Sequence, residues 1–380
     1  MKKKFLICQY SHIEGYPPTF NAINILAQEG HKIQVLARKD LETKWTYSEN
    51  VTLNFIGNYK DRFEFEKTSK LHKIKEFFSY LKLMRKLIKK TKPEIVLLYD
   101  NIPLMAYRLI RLFVSSKHKV WYHNHDIHYL KDYKKYSLPY FAYFSLKKSF
   151  RFIDFFSLPS IERLKYFNLK KYKGKQAILP NFPPKYLYKY EKSDKPKGTI
   201  KLVYPGSNIS HMHGIEEIIP ILNKIINEKK ITLHLIGTIK PNLKKKFLEI
   251  AKKHKTTKQI FFIDRIPYTE MQQEITKYDI GIAINKPLNI TYETGGTAAN
   301  KIYEYPASGL PSILFDNKHY RNYFSKYEWA FFSNLSEQNI VDCINDIDIN
   351  YINLSKKARE DYLNDFNFEK SFKKTLGVFI

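Results

Sequence analysis

Short apolar runs that do not alternate with polar residues recur along this chain, and they restrict its fold more than any other feature. Lys4–Gln9 (KFLICQ) is followed by the loop Tyr10–Pro18, by Phe20–Gln28 with helical spacing, by Gly30, and by Lys32–Ala37 (KIQVLA). A strand covered on both faces has no polar side, and a helix between two such strands gives the βαβ unit of a parallel sheet. The pattern continues at Ile95–Leu98, Val120–Tyr122, Asp154–Leu158 and Ile178–Leu179, with the basic helix Phe77–Lys90 before the first of these. It stops at Pro180-Asn181-Phe182-Pro183-Pro184 and the polar stretch EKSDKPKG, which ends at Gly198. It then restarts with the strand Lys201–Tyr204, closed by Pro205-Gly206, and the amphipathic helix Ile215–Ile226. Strand Thr232–Ile236, helix Leu243–Lys253 and strands Ile260–Ile263, Asp279–Ile284 and Ile313–Phe315 follow. The duplication predicts an α/β chain of two tandem doubly wound, Rossmann-like domains. Residues 1–184 form the first, 185–199 a linker, 200–362 the second, and 363–380 a terminal segment.

At 380 residues and 43% hydrophobic, the chain can fill two cores. Its two cysteines, Cys8 and Cys343, are far apart, which reads as free thiols in a reducing compartment. The apolar run Phe5–Cys8 is far short of a secretory segment, and no stretch approaches the roughly 20 apolar residues of a membrane span. A cytoplasmic protein, soluble or peripheral on the membrane, is expected. The net charge of +28 is unevenly spread: residues 1–190 hold 37 Lys+Arg against 15 Asp+Glu, and residues 191–380 hold 28 against 22. A basic first half facing something anionic and a biased genome composition both account for this.

The chemistry concentrates in TGGTAANKIYEYPASGLPSILF, Thr294–Phe315. In doubly wound folds, ligands bind beyond the carboxyl ends of strands, against helix N-termini. The spacing predicts a loop over 285–296 and a helix from about Thr297. Gly295 and Gly296 let backbone N–H groups approach a ligand, and the helix start is an anion site. Lys301 adds a positive charge, and Glu304 on the same helix can accept both hydroxyls of a ribose. Phosphate at the helix start and ribose on the carboxylate describe a nucleoside diphosphate. A tight turn before a surface helix fits the glycine pair equally well.

The run NKIYEYPASGLPSI (Asn300–Ile313) resembles the signature of GT-B glycosyltransferases of the group 1, or family-4, type. Other stretches match that family in order: GHKIQVLA (Gly30–Ala37), HNHD (His123–Asp126), FSLPSIERLKYF (Phe156–Phe167), ILPNFP (Ile178–Pro183) and YPGSNISHMHGIEEIIPIL (Tyr204–Leu222). ARED…FNFEK (Ala358–Lys370) resembles the terminal helix that crosses back to the first domain. The resemblance implies a GT-B architecture with an interdomain cleft, the acceptor on the first domain and a nucleotide sugar on the second. It implies that Glu304 holds the donor ribose, that Gly295, Gly296 and Thr297 cup the diphosphate, and that Asn300 and Lys301 adjoin it. Gly15 and Tyr16, in the loop Ile13–Pro18 (IEGYPP), would border the acceptor. His125, helped by Asp126, would contact sugar or acceptor hydroxyls, and either would be the base of an inverting enzyme. The chain departs from the family after Gly206, where an Arg and a Lys usually grip the phosphates. Here the loop reads Ser207-Asn208-Ile209-Ser210-His211-Met212-His213-Gly214. Ser207, Asn208 and a protonated His213 are the expected substitutes. The family's first glutamate would fall at Gly296, and Glu293 lies three residues earlier.

Other signals carry less. His118, His123, His125, His128 and Asp126 lack the firm spacing of a metal site, and Asp346-Ile347-Asp348 has no strand before it. No metal or other cofactor is expected. Phe77–Lys90 sets Phe78, Leu81, Met84 and Leu87/Ile88 on one stripe, which fits either an anionic membrane or a core. Lys131–Phe156 has the Tyr, Phe and Lys mix of a membrane interface. No nucleic-acid motif is present. The expected activity is sugar transfer, retaining in the family's manner, to a glycan or polyprenyl-diphosphate-linked acceptor in surface-polysaccharide synthesis. A nucleotide-sugar epimerase and an inactive binding protein of the same fold are the alternatives.

Overall fold

The computed structural model describes residues 2–60, 67–114, 117–189, 194 and 196–379. The chain divides into two compact units, Met1–Pro180 with Glu369–Ile380, and Asn181–Phe368. The division falls before the proline-rich stretch because that stretch packs within the second unit. There the Asn181 N–H donates to Thr297 O at 2.9 Å, and the Phe182 ring meets Tyr303 at 4.6 Å. Of the expected linker, residues 190–193 and 195 lie outside the described residues.

Numbered in chain order, the first unit contains β1 (Lys4–His12), α1 (Pro17–Gln28), β2 (Lys32–Lys39), β3 (Val51–Asn58), α2 (Lys70–Thr91), β4 (Ile95–Tyr99) and α3 (Asn101–Ile110). It continues with β5 (Lys119–His123), α4 (Leu138–Ser149), β6 (Phe155–Leu158) and β7 (Lys175–Ile178). Its sheet is parallel throughout, in the order β3-β2-β1-β4-β5-β6-β7. The strand order reverses between β1 and β4, which opens a crevice beyond their carboxyl ends. The stripe of α2 turns inward: Phe77, Tyr80, Leu81, Met84, Leu87 and Ile88 are buried, and Phe78 stays exposed. That helix is a core helix, which removes it as the membrane face.

The second unit holds β8 (Thr199–Ile209), α5 (Ile215–Ile218), β9 (Ile225–Ile226), β10 (Lys229–Ile239), α6 (Pro241–Lys253), β11 (Ile260–Ile263), α7 (Tyr268–Ile275) and β12 (Ile280–Ala283). Next come α8 (Ile290–Glu293), α9 (Asn300–Ala307), β13 (Ser312–Phe315), α10 (Lys318–Phe324), β14 (Ala330–Ser333), α11 (Glu337–Ile349) and α12 (Tyr351–Asp365). The parallel path is β11-β10-β8-β12-β13-β14, and β9 pairs antiparallel with β10. Its reversal lies between β8 and β12. The last helix, α13 (Phe368–Phe379), joins the first unit from Glu369. Phe372 stacks on Trp121 at 5.9 Å and Phe379 on Phe155 at 4.9 Å.

Two segments differ from the expected elements. The helix foreseen over Ile215–Ile226 is one turn, a 3-10 segment (Ile219–Asn223) and a hairpin strand. Pro220 lacks the N–H that a continuing helix needs, and Asn227 and Glu228 turn the chain with φ of 47° and 64°, the left-handed pair of a tight hairpin. The apolar residues Ile215, Ile218, Ile219, Ile221, Leu222 and Ile226 still face the core. Strand β8 does not close at Pro205-Gly206. It runs through them as a bulge, in which the pairing steps from Ile236↔Pro205 to Thr238↔Asn208. Gly237, at φ +131°, faces the bulge so closely that a Cβ would lie 1.7 Å from the Gly206 carbonyl oxygen. Only glycine permits that approach.

Candidate functional site

At the strand-order reversal of the second unit, the end of β8 and the start of α9 bring a charged pair together. The Lys301 Nζ donates a hydrogen bond to the Tyr204 hydroxyl and lies 3.8 Å from the centroid of that ring. A Cβ on Gly206 would meet the Tyr204 ring at 3.0 Å and the Lys301 Nζ at 3.6 Å, so the bulged strand passes directly over the ammonium. Glu304 follows one turn later on the same helix face and is 8% exposed. Burial pulls the Lys301 ammonium down to about 7, against the attraction of Glu304. Burial likewise pushes the Glu304 carboxyl up to about 7, against Lys301 and the Tyr188 hydroxyl. Both groups are therefore poised to change charge when a ligand arrives. Helix α9 has no side-chain N-cap. The Ile302 N–H turns back to Ala299 O at 3.2 Å, which leaves the Asn300 and Lys301 N–H groups as the first-turn donors without an intrahelical acceptor. The Asn300 Oδ1, beside them, is buried without a partner.

The glycine pair does not form that helix start. Gly296–Ala298 make a 3-10 turn, Ala299 is extended at ψ 91°, and α9 begins at Asn300. The reason lies in Asn181, whose N–H and Nδ2 donate to the carbonyls of Thr297 and Ala298, each at 2.9 Å. Those carbonyls are thereby taken from a continuous helix. The Gly296 N–H donates to His319 Nε2 at 2.8 Å and the Gly295 N–H to Tyr292 O at 3.4 Å, so neither is held open for a diphosphate. The N–H groups at the start of α9 are those of Asn300 and Lys301.

His213 also has a different task from the one expected. Its Nδ1 accepts the Ser210 N–H at 3.1 Å and its Nε2 meets the Tyr292 hydroxyl at 2.6 Å. Its ring stacks on Tyr204 at 4.9 Å. Burial, then Lys301 and His211, drive its pKa down to about 2. The imidazole is neutral and buttresses Tyr204, which removes the cation that would have replaced the family's lysine. Asn208 is exposed on β8, and the Ser207 side chain lies outside the described residues. Glu293 ends α8 with an exposed side chain.

In the first unit, a cavity of about 280 Å³ opens at the carboxyl ends of β1 and β4. Tyr16, Tyr99, Asp100 and Asp126 line it, and His125 does not. The partner of His125 is Asp100, not Asp126: Asp100 Oδ2 accepts Nδ1–H at 2.9 Å and Oδ1 accepts the His125 N–H at 2.8 Å. The ring stacks on Tyr99 at 4.8 Å, and its Nε2 meets Thr19 Oγ1 at 3.2 Å. Asp126 has the buried Arg163 3.4 Å away. Gly15 abuts His12, where a Cβ would lie 2.0 Å from the ring. Asp100 was missed in the sequence. Its signal was an acid directly after the apolar run of β4; the structure holds it at φ 67°. Among the described residues, no group of three His, Cys, Asp or Glu is placed to hold a metal ion.

Residues 189–361, nearly all of the second unit, match the family model for glycosyl transferases group 1. The second unit is a glycosyl transferases group 1 domain, and the chain is a glycosyltransferase. No curated protein sequence matches it. Among solved structures, a sucrose-phosphate synthase from Thermosynechococcus elongatus is similar at TM-score 0.71 and 13% identity, over 99% of this chain and 98% of that one. A glycosyltransferase from Rickettsia africae gives 0.69 and 15%, over 100% and 98%. Anabaena Alr3699/HepE, solved with UDP and glucose, gives 0.68 and 12%, over 99% of each chain. At these identities the likeness carries the GT-B fold of the glycosyltransferase and not its substrates.

The charged pair has a consequence for stability. In the unfolded chain Lys301 keeps its proton up to the ordinary lysine range, while the folded chain releases it near pH 7. Between these values the unfolded state binds more protons, so stability rises with pH. Melting of the wild type should therefore gain on Lys301→Met as pH rises from 7 to 10, and the gap should stay constant below 7.

Proposed function

We propose that this glycosyltransferase moves a sugar from a UDP- or GDP-sugar to a hydroxyl of a glycan or polyprenyl-diphosphate-linked glycan in surface-polysaccharide synthesis, with retention at the anomeric carbon. The observation that carries the donor assignment is the Lys301–Glu304 pair at the reversal between β8 and β12. A buried ammonium with a lowered pKa recovers its charge when a phosphate comes within reach, and an ionised Glu304 accepts the ribose hydroxyls. The Anabaena relative has been solved in complex with UDP and with UDP-glucose, which supports a nucleotide sugar as donor here.

In this mechanism the bond from the anomeric carbon to the diphosphate breaks, and the diphosphate leaves with the electron pair. Lys301 and the first-turn N–H groups of α9 stabilise that developing charge, which supplies most of the rate enhancement. The acceptor oxygen attacks the face the diphosphate leaves, and its proton passes to a phosphate oxygen. No protein base and no metal is needed in this scheme. Were the outcome inversion, Asp126 would be the base to test, because it lines the cavity while His125 does not. Lys301→Met should lower kcat by about 10²–10³-fold.

The second part of the proposal is peripheral docking on an anionic membrane on the cytoplasmic side. Support comes from the charge of the first half and from exposed Leu109 near the end of α3, Leu112 and Phe113 in the 3-10 turn after it, and Phe141 and Phe144 on α4. The two helices pack together, with Arg108 donating to Ser145 at 3.0 Å. Arg85 covers Phe113 at 5.4 Å, and Lys147 and Lys148 are exposed beside the α4 aromatics. Apolar side chains ringed by cations suit a headgroup layer. No helix among the described residues is long and apolar enough to cross a membrane.

Two measurements check the proposal. A thermal-shift titration with UDP, GDP, ADP, CMP and dTDP should show stabilisation by one diphosphate, about 2.7 kcal/mol at a hundredfold excess over Kd. Glu304→Ala should lose it. No shift with any of them would favour a protein that keeps the fold without the donor. Vesicles with anionic lipid should co-sediment the protein at low salt, and the double variant Phe141→Ser/Phe144→Ser should stay in solution. Equal co-sedimentation of both would remove this face.

A further inference from the structure

The cavity of the first unit carries buried hydrogen-bonding capacity that the protein leaves unused. Gln9, in the second half of β1, is 2% exposed, and neither its Nε2 nor its Oε1 has a partner. Asn124, just beyond β5, is equally buried. Its Nδ2 donates to the Tyr122 hydroxyl at 3.1 Å, while its Oδ1 has no partner. Both residues line the cavity. A buried amide left unpaired costs roughly 1–3 kcal/mol, and such groups in a native fold call for an explanation. A ligand that both donates and accepts at these positions supplies one. Sugar hydroxyls do both.

Charge decides what the ligand cannot be. Among the described residues, the lining includes the carboxylates of Asp100 and Asp126, with His128 as its one basic side chain and no Lys or Arg. Asp100 is fixed, since both of its oxygens are held by His125. Asp126 is about half exposed, and Arg163 approaches only its Oδ1. Two carboxylates repel a phosphate, and a hydroxyl can donate to Asp126. The size, about 280 Å³, sits at the small end of ligand sites, which run from roughly 300 to 1,000 Å³, and suits one ring. Tyr16 and Tyr133 add aromatic surface for its C–H face.

We infer that this cavity binds an uncharged, hydroxyl-rich ring, one unphosphorylated sugar unit of the acceptor, through Gln9 and Asn124, and that Asp100 and Asp126 exclude a phosphate there. The inference rests on the proposed reading of the first unit as the acceptor side. It sets the basic charge of that unit apart from the site itself: among the described residues the cavity is lined by two carboxylates and by no Lys or Arg.

Saturation-transfer NMR on the full chain tests this, using methyl glycosides of glucose, galactose, mannose and N-acetylglucosamine beside the 6-phosphate of each. At least one glycoside should bind, and its 6-phosphate should bind about tenfold more weakly, a gap worth about 1.4 kcal/mol. Gln9→Met should weaken the glycoside by about tenfold, the worth of one or two hydrogen bonds, with an unchanged or raised melting temperature. Asp126→Asn should narrow the gap to the phosphate. Asn124→Ser reads the same contact if Gln9→Met does not fold. A 6-phosphate that binds as tightly as its glycoside, a glycoside indifferent to Gln9→Met, or no glycoside binding at all would overturn the inference. UDP binding measured on the same samples separates the two readings. Loss of the glycoside with UDP retained defeats only the cavity, and loss of UDP defeats the donor assignment.

Discussion

A lysine ammonium held in a low-dielectric pocket over a tyrosine ring is the constraint around which the second unit is built. Burying a cation is costly unless something pairs with it, and the fold arranges three responses. Glu304 lies one turn along α9, the Tyr204 hydroxyl accepts a hydrogen bond, and the pKa falls until the charge itself is optional. The neighbouring choices follow. At Gly206 a Cβ would crowd the Tyr204 ring at 3.0 Å, and Gly237 is required because the bulge presses the Gly206 carbonyl against it. His213 stays neutral because it is buried, and a second cation beside Lys301 would be repelled as well. What is left is a buried amine that can take up a proton when an anion comes within reach.

The first unit sets up its crevice with the opposite sign. Its sheet reverses order between β1 and β4, as the second does between β8 and β12. Yet the carboxylates of Asp100 and Asp126 and the amides of Gln9 and Asn124 gather there instead of a cation. Two copies of one architecture thus present one crevice suited to phosphate and one suited to hydroxyls. That division of labour fits a transferase better than a protein that binds nucleotide alone.

Much of this was legible in the chain. Strands β1, β2, β4, β5, β6, β8, β12 and β13 stood out because double burial makes them continuous apolar runs, and β10 and β11 stood out by their apolar residues although they are partly exposed. Edge strand β3 did not: Val51–Asn58 is half exposed and carries polar residues. Lys301 and Glu304 could be placed on one helix face from spacing alone. The identity of the helix start could not, because it depends on Asn181, more than a hundred residues earlier, removing two carbonyls. Pairing His125 with the adjacent Asp126 failed for a similar reason. Strand neighbours β4 and β5 bring Asp100 alongside, and only the register shows it. Single residues whose roles are set by distant backbone were the ones misread.

The central claim is that Lys301 waits uncharged for the phosphates of a nucleotide. Calorimetry at pH 8, in buffers of different ionisation enthalpy, measures it most directly, because Lys301 is then already neutral and Glu304 already ionised. Binding of the preferred nucleoside diphosphate should take up about one proton from the buffer, and Lys301→Met should abolish that uptake. Binding with no proton uptake, or with the same uptake in Lys301→Met, would contradict the account.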